Sequence, residues 1–343
     1  MIGIDISDQT IKVVQLSSPP KRRLLSHCMK QLPLGVIENG VVIDKKKMEE
    51  EIRAALTSCR IPVKIKDSVV ASIPETQSFL RVIEIPIMDE DEIHEAVRWE
   101  IAQHIPFGLE NVYVDWQHSA SRNHGAKPGH MEVEVGAAQK RVVDPLYEVM
   151  KSIGLDVVAY ELESQAIVRS LISNDWKLKQ GILIIDLGST ATNVVVYDYG
   201  AVRFTASLPY GVVQLLKDVS AQDARAIMEN LEALPKELSD RVEPKIAHLA
   251  DALVKDIFGI VKFYNGIDAK HEVREIILTG GGSNLPGLDG VFLKYFLEVN
   301  IQRGNPWVNI LSGKDAVRPP LDIQESVRYS TAIGLAIRSI IPL

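Results

Sequence analysis

Two stretches of the chain show the same order of apolar and polar residues. Each begins with an apolar run that ends in an aspartate, passes through a polar turn and returns to an apolar run; they span Ile2–Val14 and Ile182–Val196. Apolar runs of this length bounded by turn residues predict β-hairpins. We therefore expect one hairpin at the start of each half of the chain.

The region between the hairpins predicts a small α+β module. Apolar residues at helical spacing predict a helix over Asp89–Ile105, with Asp89 and Glu92 spaced as a capping box and Pro106 after its end. Strand patterns precede and follow this helix. Strands alternating with helices elsewhere predict an α/β fold. The expected division is 1–78 with 142–175 as the core of a first lobe, 79–141 as the module, and 176–343 as a second lobe.

Later segments complete this outline. A polar break is expected near Leu234–Pro244, then a helix over about Ala247–Asn265 and a strand over Glu275–Leu278. The strand leads into three glycines and a serine at positions 280–283. A last helix is expected over about Ser326–Arg338.

Composition narrows the protein class. The 343 residues, 46% of them hydrophobic, suffice for two domains, and a net charge of -7 argues against nucleic acid or an anionic membrane as the main partner. The N-terminus lacks signal-peptide features and no apolar run reaches about 18 residues. We expect a cytoplasmic protein without direct membrane insertion that reaches a membrane through a partner. Cys28 and Cys59, without metal-type spacing, are expected to be reduced thiols.

The order of the polar turns indicates a chemical task. Alone, an Asp-ended hairpin is an ordinary structural element, and the glycine run is an ordinary tight turn. Together they fit a nucleotide held between two lobes, where backbone N–H groups face the phosphates and glycines permit close approach. Asp5 and Asp186 are placed to hold a hydrated Mg²⁺ ion.

The same features resemble the actin, sugar kinase and heat-shock chaperone superfamily, and in particular the PilM family of type IV pilus assembly. The segments that carry the likeness are Gly3–Ile6 with Lys12–Val14, Leu80–Pro86, Val97–Glu100, Ile105–Phe107, Leu278–Ser283 and Ala332–Arg338. The resemblance implies a two-lobed actin-like ATPase fold with the extra α+β subdomain of FtsA and PilM in the first lobe.

It also implies ATP and Mg²⁺ as ligands. The nucleotide-binding residues that it implies are Asp5, Ser7, Thr10, Lys12, Asp186, Gly188, Ser189, Thr190, Gly211, Gly280, Gly281, Gly282 and Ser283, with Asp5 and Asp186 at the metal. The first turn lacks the family's usual glycine, and Asp8 would place a negative charge beside the phosphates. Arg225 and Met228 stand where the family offers Glu and Lys to the adenosine. ATP binding is therefore expected to be weak or lost, without efficient ATPase activity.

PilM-like proteins dock the cytoplasmic N-terminal tail of PilN, an inner-membrane protein, between the first lobe and its module. The residues expected to bind it are Phe79, Leu80, Val82, Trp99, Ile105, Pro106 and Phe107. Ile105 and Phe107 are equally well explained as core of the module, whereas Trp99 lies off the apolar stripe of its helix. Other pilus membrane or motor proteins are further expected partners, and a homodimer is left open.

The first functional hypothesis is therefore an assembly platform for a type IV pilus or type II secretion-like machine. An active, filament-forming ATPase like FtsA is the second, disfavoured because the chain ends directly after its last core helix. The separated cytoplasmic part of a GspL-type secretion protein is the third. No catalytic residue is nominated, and His94, His104 and His118 are interpreted as ordinary polar residues.

Overall fold

The predicted alternation of strands and helices is confirmed by a computed structural model, which describes residues 1–19, 22–62, 68–103, 105, 108–119, 127–173, 180–230, 234–267, 272–311 and 319–338. The first part of the chain contains, in order, β1 (Ile2–Ile6), β2 (Thr10–Leu16), β3 (Leu24–Gln31), β4 (Ile37–Glu38), β5 (Val41–Val42), α1 (Lys45–Ser58), β6 (Val69–Ile73), β7 (Ser78–Pro86), α2 (Glu90–Ile101), β8 (Val112–His118), β9 (His130–Gln139), α3 (Lys140–Ser152), β10 (Val157–Leu162) and α4 (Glu163–Leu171). The second part contains β11 (Gly181–Leu187), β12 (Thr192–Asp198), β13 (Ala201–Leu208), α5 (Val212–Leu215), α6 (Ala221–Glu229), α7 (Lys236–Ile267), β14 (Val273–Thr279), α8 (Leu288–Tyr295), β15 (Asn300–Arg303), α9 (Ile323–Ser326) and α10 (Ser330–Ile337).

The two hairpins each open a five-stranded sheet of the same topology. The strand orders are β3-β2-β1-β6-β10 and β13-β12-β11-β14-β15. In each, the first strand pairs antiparallel with the second and parallel with a later strand that follows a helix. The register places Asp5 opposite Lys12 in one hairpin and Asp186 opposite Asn193 in the other. The likeness of the two sequence segments therefore reflects two lobes of equivalent architecture.

The module is a separate antiparallel sheet, ordered β7-β9-β8, with α2 on one face. Side chains of β9 alternate: Val133, Val135 and Ala137 belong to the core with α2, whereas the intervening residues point to the opposite face. The helix ends at Ile101, earlier than predicted, and the Asp89 carboxylate makes no capping bond, so the predicted capping box does not form.

The module also contacts the second lobe through its face away from α2. Glu132 on β9 forms an ion pair with Arg203 on β13, with 2.7 Å between Oε1 and Nη1. The Val202 N–H donates to Glu134 Oε1 at 3.2 Å. Both carboxylates are buried, so the module is held between the lobes rather than hanging from one of them.

The last helix returns to the first lobe. A Cβ on Gly3 of β1 would lie 2.1 Å from the Ala332 carbonyl oxygen, and one on Gly334 would lie 1.8 Å from that of Ala166 on α4. Glycine at these two positions lets α10 pack directly on the backbone of the first lobe. The domain boundaries given above stay predictions, but α10 contacts the first sheet although it lies within 176–343.

Two further expectations are wrong. Most of the predicted break near Leu234–Pro244 belongs to α7, which begins at Lys236 and runs through Pro244 because Leu238, Val242 and Ile246 bury one face of it in the core of the second lobe.

Cys28 and Cys59 form a disulfide instead of remaining thiols. Strand β3 and the end of α1 bring their Cα atoms to 5.4 Å, a separation suited to a disulfide.

Candidate functional site

The first predicted carboxylate, Asp5, lies at the end of β1 and is buried. Lys12 approaches it from the paired strand, with 3.1 Å between Nζ and Oδ2. The Ser72 hydroxyl donates to the other carboxylate oxygen at 3.1 Å and accepts the Ile6 N–H at 2.9 Å. Asp5 is therefore held rigidly by two neighbouring strands.

The first turn, between β1 and β2, is closed by its own residues. The Ser7 N–H donates to the Thr10 carbonyl oxygen at 2.9 Å, and the Thr10 N–H donates to Ser7 Oγ at 3.1 Å. The Asp8 carboxylate accepts the N–H groups of Asn39 and Gly40 at 3.0 and 2.8 Å. The Asp8 carboxylate therefore caps the neighbouring β4–β5 turn, an interaction that the sequence interpretation did not foresee.

The second turn, Gly188–Thr190, follows Asp186 and rests on the start of α5. The N–H groups of Val212 and Val213 donate to the carbonyl oxygens of Gly188 and Ser189 at 3.1 and 3.0 Å. A Cβ on Gly211 would lie 2.3 Å from the Ser189 carbonyl oxygen. Gly211 is thus a glycine because the turn packs on its backbone.

The third turn brings the glycine run against the second one. Gly280 has a φ of +78°, and a Cβ there would lie 2.3 Å from Asp186 Oδ1. Gly282 packs against Leu187, Gly281 continues the turn, and the buried Ser283 hydroxyl donates to the Gly280 carbonyl oxygen at 2.7 Å. The structure therefore gathers the three predicted turns, from distant parts of the chain, around Asp5 and Asp186.

The two turns that follow β1 and β11 touch across the cleft. Ser189 Oγ donates a hydrogen bond to the side-chain oxygen of Gln9. Gln9 stands in the turn from which the family's usual glycine is missing. Its side chain therefore occupies space between the two turns that would face the phosphates.

Among the described residues of this cleft, the carboxylates outnumber the one lysine, Lys12. Burial, together with the charges of Asp5 and Glu75, raises the pKa of Asp186 to about 6, although Lys12 opposes the shift. Burial and then the charges of Asp5 and Asp186 raise the pKa of Glu163 well above its usual value. Burial alone would lower the pKa of Lys12, but the neighbouring carboxylates raise it. Such a cluster attracts cations.

Glu163 is a residue that the sequence interpretation missed. It begins α4, and it accepts the Asn193 side-chain N–H from the second lobe at 3.0 Å and the Glu75 N–H at 3.3 Å. The sequence signal that could have identified Glu163 is weak: it is a glutamate at the first position of a helix that follows an apolar strand. Among the described residues, no three His, Cys, Asp or Glu side chains are placed to bind one metal ion together, although Mg²⁺ bound with phosphates needs only one or two carboxylates.

The adenosine helix predicted from the resemblance corresponds to α6. Arg225 is exposed there and pairs with Glu229 on the same helix, with 2.9 Å between Nε and Oε1. Met228 is partly buried against the core of the second lobe.

The residues predicted to bind a partner are divided between the two faces of the module. Phe79 and Ile105 pack with α2. Ile105 is buried, as expected if it belongs to the core of the module. Trp99 projects from α2 with 76% of its surface exposed. Leu80 is buried in the core shared by the lobes. Val82 lies two residues further along β7, so its side chain is on the same face as that of Leu80 and on the face opposite to that of Phe79. Pro106 and Phe107, like His104, lie outside the described residues.

A large groove lies on that opposite face, between the module and the first lobe. It has a volume of about 1890 Å³ and is lined by residues of β8, Tyr113–Gln117, and by all of β10. Among the described strands, β8 pairs only with β9 and β10 only with β6, so both present an unpaired edge. Tyr147 of α3 and Val168 of α4 also line it.

Comparison with known proteins decides the family. The model of the family described as type IV pilus assembly protein PilM matches residues 3–340. The chain belongs to the PilM family. A solved PilM-PilN type IV pilus biogenesis complex has 23% identity and a TM-score of 0.79, covering 99% of this chain and 98% of that one. The PilM resemblance and the actin-like fold with its extra subdomain are both confirmed.

Two other proteins are similar to this chain over nearly its whole length. Cell division protein FtsA of Neisseria meningitidis serogroup B is 25% identical over 98% of this chain and 86% of its own length. MreB 5 of Spiroplasma citri, solved bound to AMPPNP, has 11% identity and a TM-score of 0.53 over 98% of this chain and 94% of that one. No described helix combines the length and apolar character needed to cross a bilayer.

Proposed function

We propose that this protein is an assembly platform of a type IV pilus or type II secretion-like machine. In this proposal, the groove between β8 and β10 docks the extended N-terminal tail of a PilN-type inner-membrane protein. The observation that carries it is a large groove between two unpaired strand edges, because an extended peptide can hydrogen-bond to such an edge while its side chains enter apolar pockets.

The size of the groove favours a peptide over a small molecule. Small-molecule sites measure about 300–1,000 Å³, and this groove is about 1890 Å³. Tyr113 and Tyr147 line it and are about half exposed. Exposed aromatic side chains of this kind often anchor bound peptides. A member of the family has been solved in a complex with PilN, which is a partner of the proposed kind.

Binding of a labelled peptide tests the platform. The probe is a fluorescent peptide of about 20 residues from the N-terminus of the PilN-type protein of the same genome, titrated by anisotropy. Tyr147→Ala and Tyr113→Ala should each weaken binding by about tenfold, the loss of about 1.4 kcal/mol. Phe263→Ala is the matched control, because Phe263 is 63% exposed but lies on α7 of the second lobe.

Trp99→Ala separates this proposal from docking on the α2 side of the module. If only Trp99→Ala weakens binding, the partner docks on the α2 face and the groove proposal is wrong. If no variant changes the affinity, neither surface binds the tail.

We further propose that nucleotide binds weakly, as a structural ligand, and is not turned over efficiently. The first and second turns would face the phosphates, Gly280–Gly282 would lie near the ribose, and Asp5 and Asp186 would hold hydrated Mg²⁺. The surplus of carboxylates in the cleft fits a divalent cation, whereas the side chain of Gln9 narrows the space for phosphate. Calorimetry with Mg-ATP and a phosphate-release assay test this. Micromolar affinity with steady release would favour an active ATPase like FtsA.

A further inference from the structure

The wall of the groove that the module forms carries two carboxylates, Asp115 and Glu134. Side chains alternate along β8, and Val114 and Trp116 pack in the core with α2, so Asp115 points to the opposite face. Glu134 of β9 points to that face as well. Both side chains line the groove, so the module wall presents negative charge to it.

The strand register brings these two carboxylates close together. Asp115 pairs with Gly136, and Glu134 is two residues from Gly136 on the same strand. Asp115 and Glu134 are therefore diagonal neighbours on one face of the sheet, a separation that a long side chain can span. Gly136 also lines the groove, and it has no side chain to fill the space between them.

The Glu134 carboxylate is 7% exposed and has hydrogen bonds but no counter-charge. It accepts N–H groups from three elements, namely the side chain of Gln117 on β8, that of Gln165 on α4 at 3.4 Å, and the backbone of Val202 on β13 at 3.2 Å. Within the described part of the chain it contacts no lysine or arginine. An opposite charge nearby would stabilise it further.

The cations that line the groove belong to other elements. They are Arg22 and Arg23 before β3, Arg169 on α4 and Arg338 after α10. Arg169 and Arg338 both pair with Glu161 of β10, at 2.7 Å from Arg169 Nη1 to Oε2 and 3.2 Å from Arg338 Nη1 to Oε1. Asp115 accepts only the N–H of its neighbour Trp116, at 2.9 Å, among the described residues. The two carboxylates of the module wall are therefore available to a cation from a partner.

We propose that the groove selects a tail with a Lys or Arg side chain, which binds between Asp115 and Glu134 beside Gly136. The cation supplies the charge that Glu134 lacks and forms charge-assisted hydrogen bonds with both carboxylates. A tail of this kind fits an inner-membrane partner, because cytoplasmic segments near membrane-spanning helices are enriched in Lys and Arg. This inference rests on the docking function proposed above and adds the charge that the partner's tail must carry.

The first test is a scan of the tail peptide against the wild-type protein. Each Arg is replaced in turn by citrulline and each Lys by acetyl-lysine, which removes the charge and keeps most of the shape. One replacement should weaken binding about tenfold, the loss expected for a charge-assisted hydrogen bond. It should also reduce the dependence of the affinity on NaCl, since salt screens ion pairs near the surface.

The second test reverses the charge on the protein. Asp115→Lys should weaken the unmodified peptide about tenfold and bind it better when the same cation is changed to Glu. Asp115 suits this swap because it is exposed. Glu134→Gln, which keeps an oxygen to accept N–H groups, should weaken the charged peptide and not its neutral isostere. Asp240→Lys, an equal charge reversal at an exposed position of α7, should leave the affinity unchanged.

The outcomes separate this inference from the docking proposal. If the peptide binds and Tyr147→Ala weakens it, but every neutral replacement binds alike, the inference is wrong and docking stands. The inference also fails if Asp115→Lys and Asp240→Lys act equally, or if only acetylation of the peptide's terminal amine weakens binding. If the unmodified tail does not bind, the docking function and this inference both fail. The peptide scan uses the wild-type protein, so it decides the case even if a variant does not fold.

Discussion

The Ser189 hydroxyl donates a hydrogen bond to the Gln9 side chain, so the two turns that would face a nucleotide's phosphates are joined directly. A bound phosphate would have to displace this contact. We therefore expect Gln9→Gly to tighten binding of Mg-AMPPNP by about fivefold, which corresponds to about 1 kcal/mol. Calorimetry measures the change.

Asp8→Asn is the control for this prediction. The Asp8 carboxylate accepts the N–H groups of Asn39 and Gly40, so this change should affect stability more than nucleotide affinity. If Gln9→Gly and Asp8→Asn tighten nucleotide binding equally, the contact made by the Gln9 side chain is not what limits the affinity.

Gly334 holds α10 against α4. A Cβ there would meet the backbone oxygen of Ala166, which cannot rotate away, so Gly334→Ala should destabilise the protein by about 3 kcal/mol. Gly290→Ala on α8 is the matched control, because its Cβ meets nothing within 4 Å. It should stabilise by about 0.5–1 kcal/mol through helix propensity. Urea unfolding compares them, and equal effects would contradict the packing argument.

The buried ion pair between Glu132 and Arg203 joins the module to the second lobe. Glu132→Gln should cost about 3 kcal/mol, because it removes the charge that Glu132 places against the largely buried Arg203 guanidinium. Arg225→Ala removes the exposed pair with Glu229 and should cost less than about 0.5 kcal/mol. Chemical unfolding of the two variants measures the difference. If both lose a similar free energy of unfolding, the buried pair stabilises the protein no more than the exposed pair does.

The raised pKa of Asp186 makes stability depend on pH. The folded protein holds the Asp186 proton up to about pH 6, whereas an unfolded aspartate loses it near pH 4. This group therefore stabilises the fold below pH 4, and the contribution disappears as pH rises through 6.

Asp186→Asn removes that dependence. Relative to the wild type, the variant should gain about 1–3 kcal/mol between pH 4 and pH 7. Melting temperatures measured across this range are the readout. A difference that stays constant with pH would contradict the shifted pKa.

The disulfide closes a sequence separation of 31 residues between Cys28 and Cys59. A loop of this length restricts the unfolded chain enough to stabilise the fold by about 3–4 kcal/mol. Reduction should therefore lower the melting temperature of the wild type, while Cys28→Ser melts at the same temperature with and without reductant. Thiol titration of the denatured, unreduced protein should find no free cysteine, and two free thiols would refute the pairing.

Sequence by itself determined the features that local order controls. Apolar runs ending in Asp5 and Asp186 predicted both hairpins, because strand formation and turns depend on neighbouring residues. The GGGS run, taken in order with these hairpins, placed the three turns at one cleft. The apolar stripe of α2 and the strands beside it predicted the module, although not the helix end at Ile101.

Only the tertiary structure decided features that depend on distant partners. Asp8 caps the β4–β5 turn because Asn39 and Gly40 offer their N–H groups, and α7 runs through Pro244 because one face of the helix is buried in the core of the second lobe. Glu163 joined the cleft and Cys28 met Cys59 because packing brings separate elements together. The groove exists only where the module, the first lobe and residues from the second half of the chain meet, since its walls come from segments more than 100 residues apart.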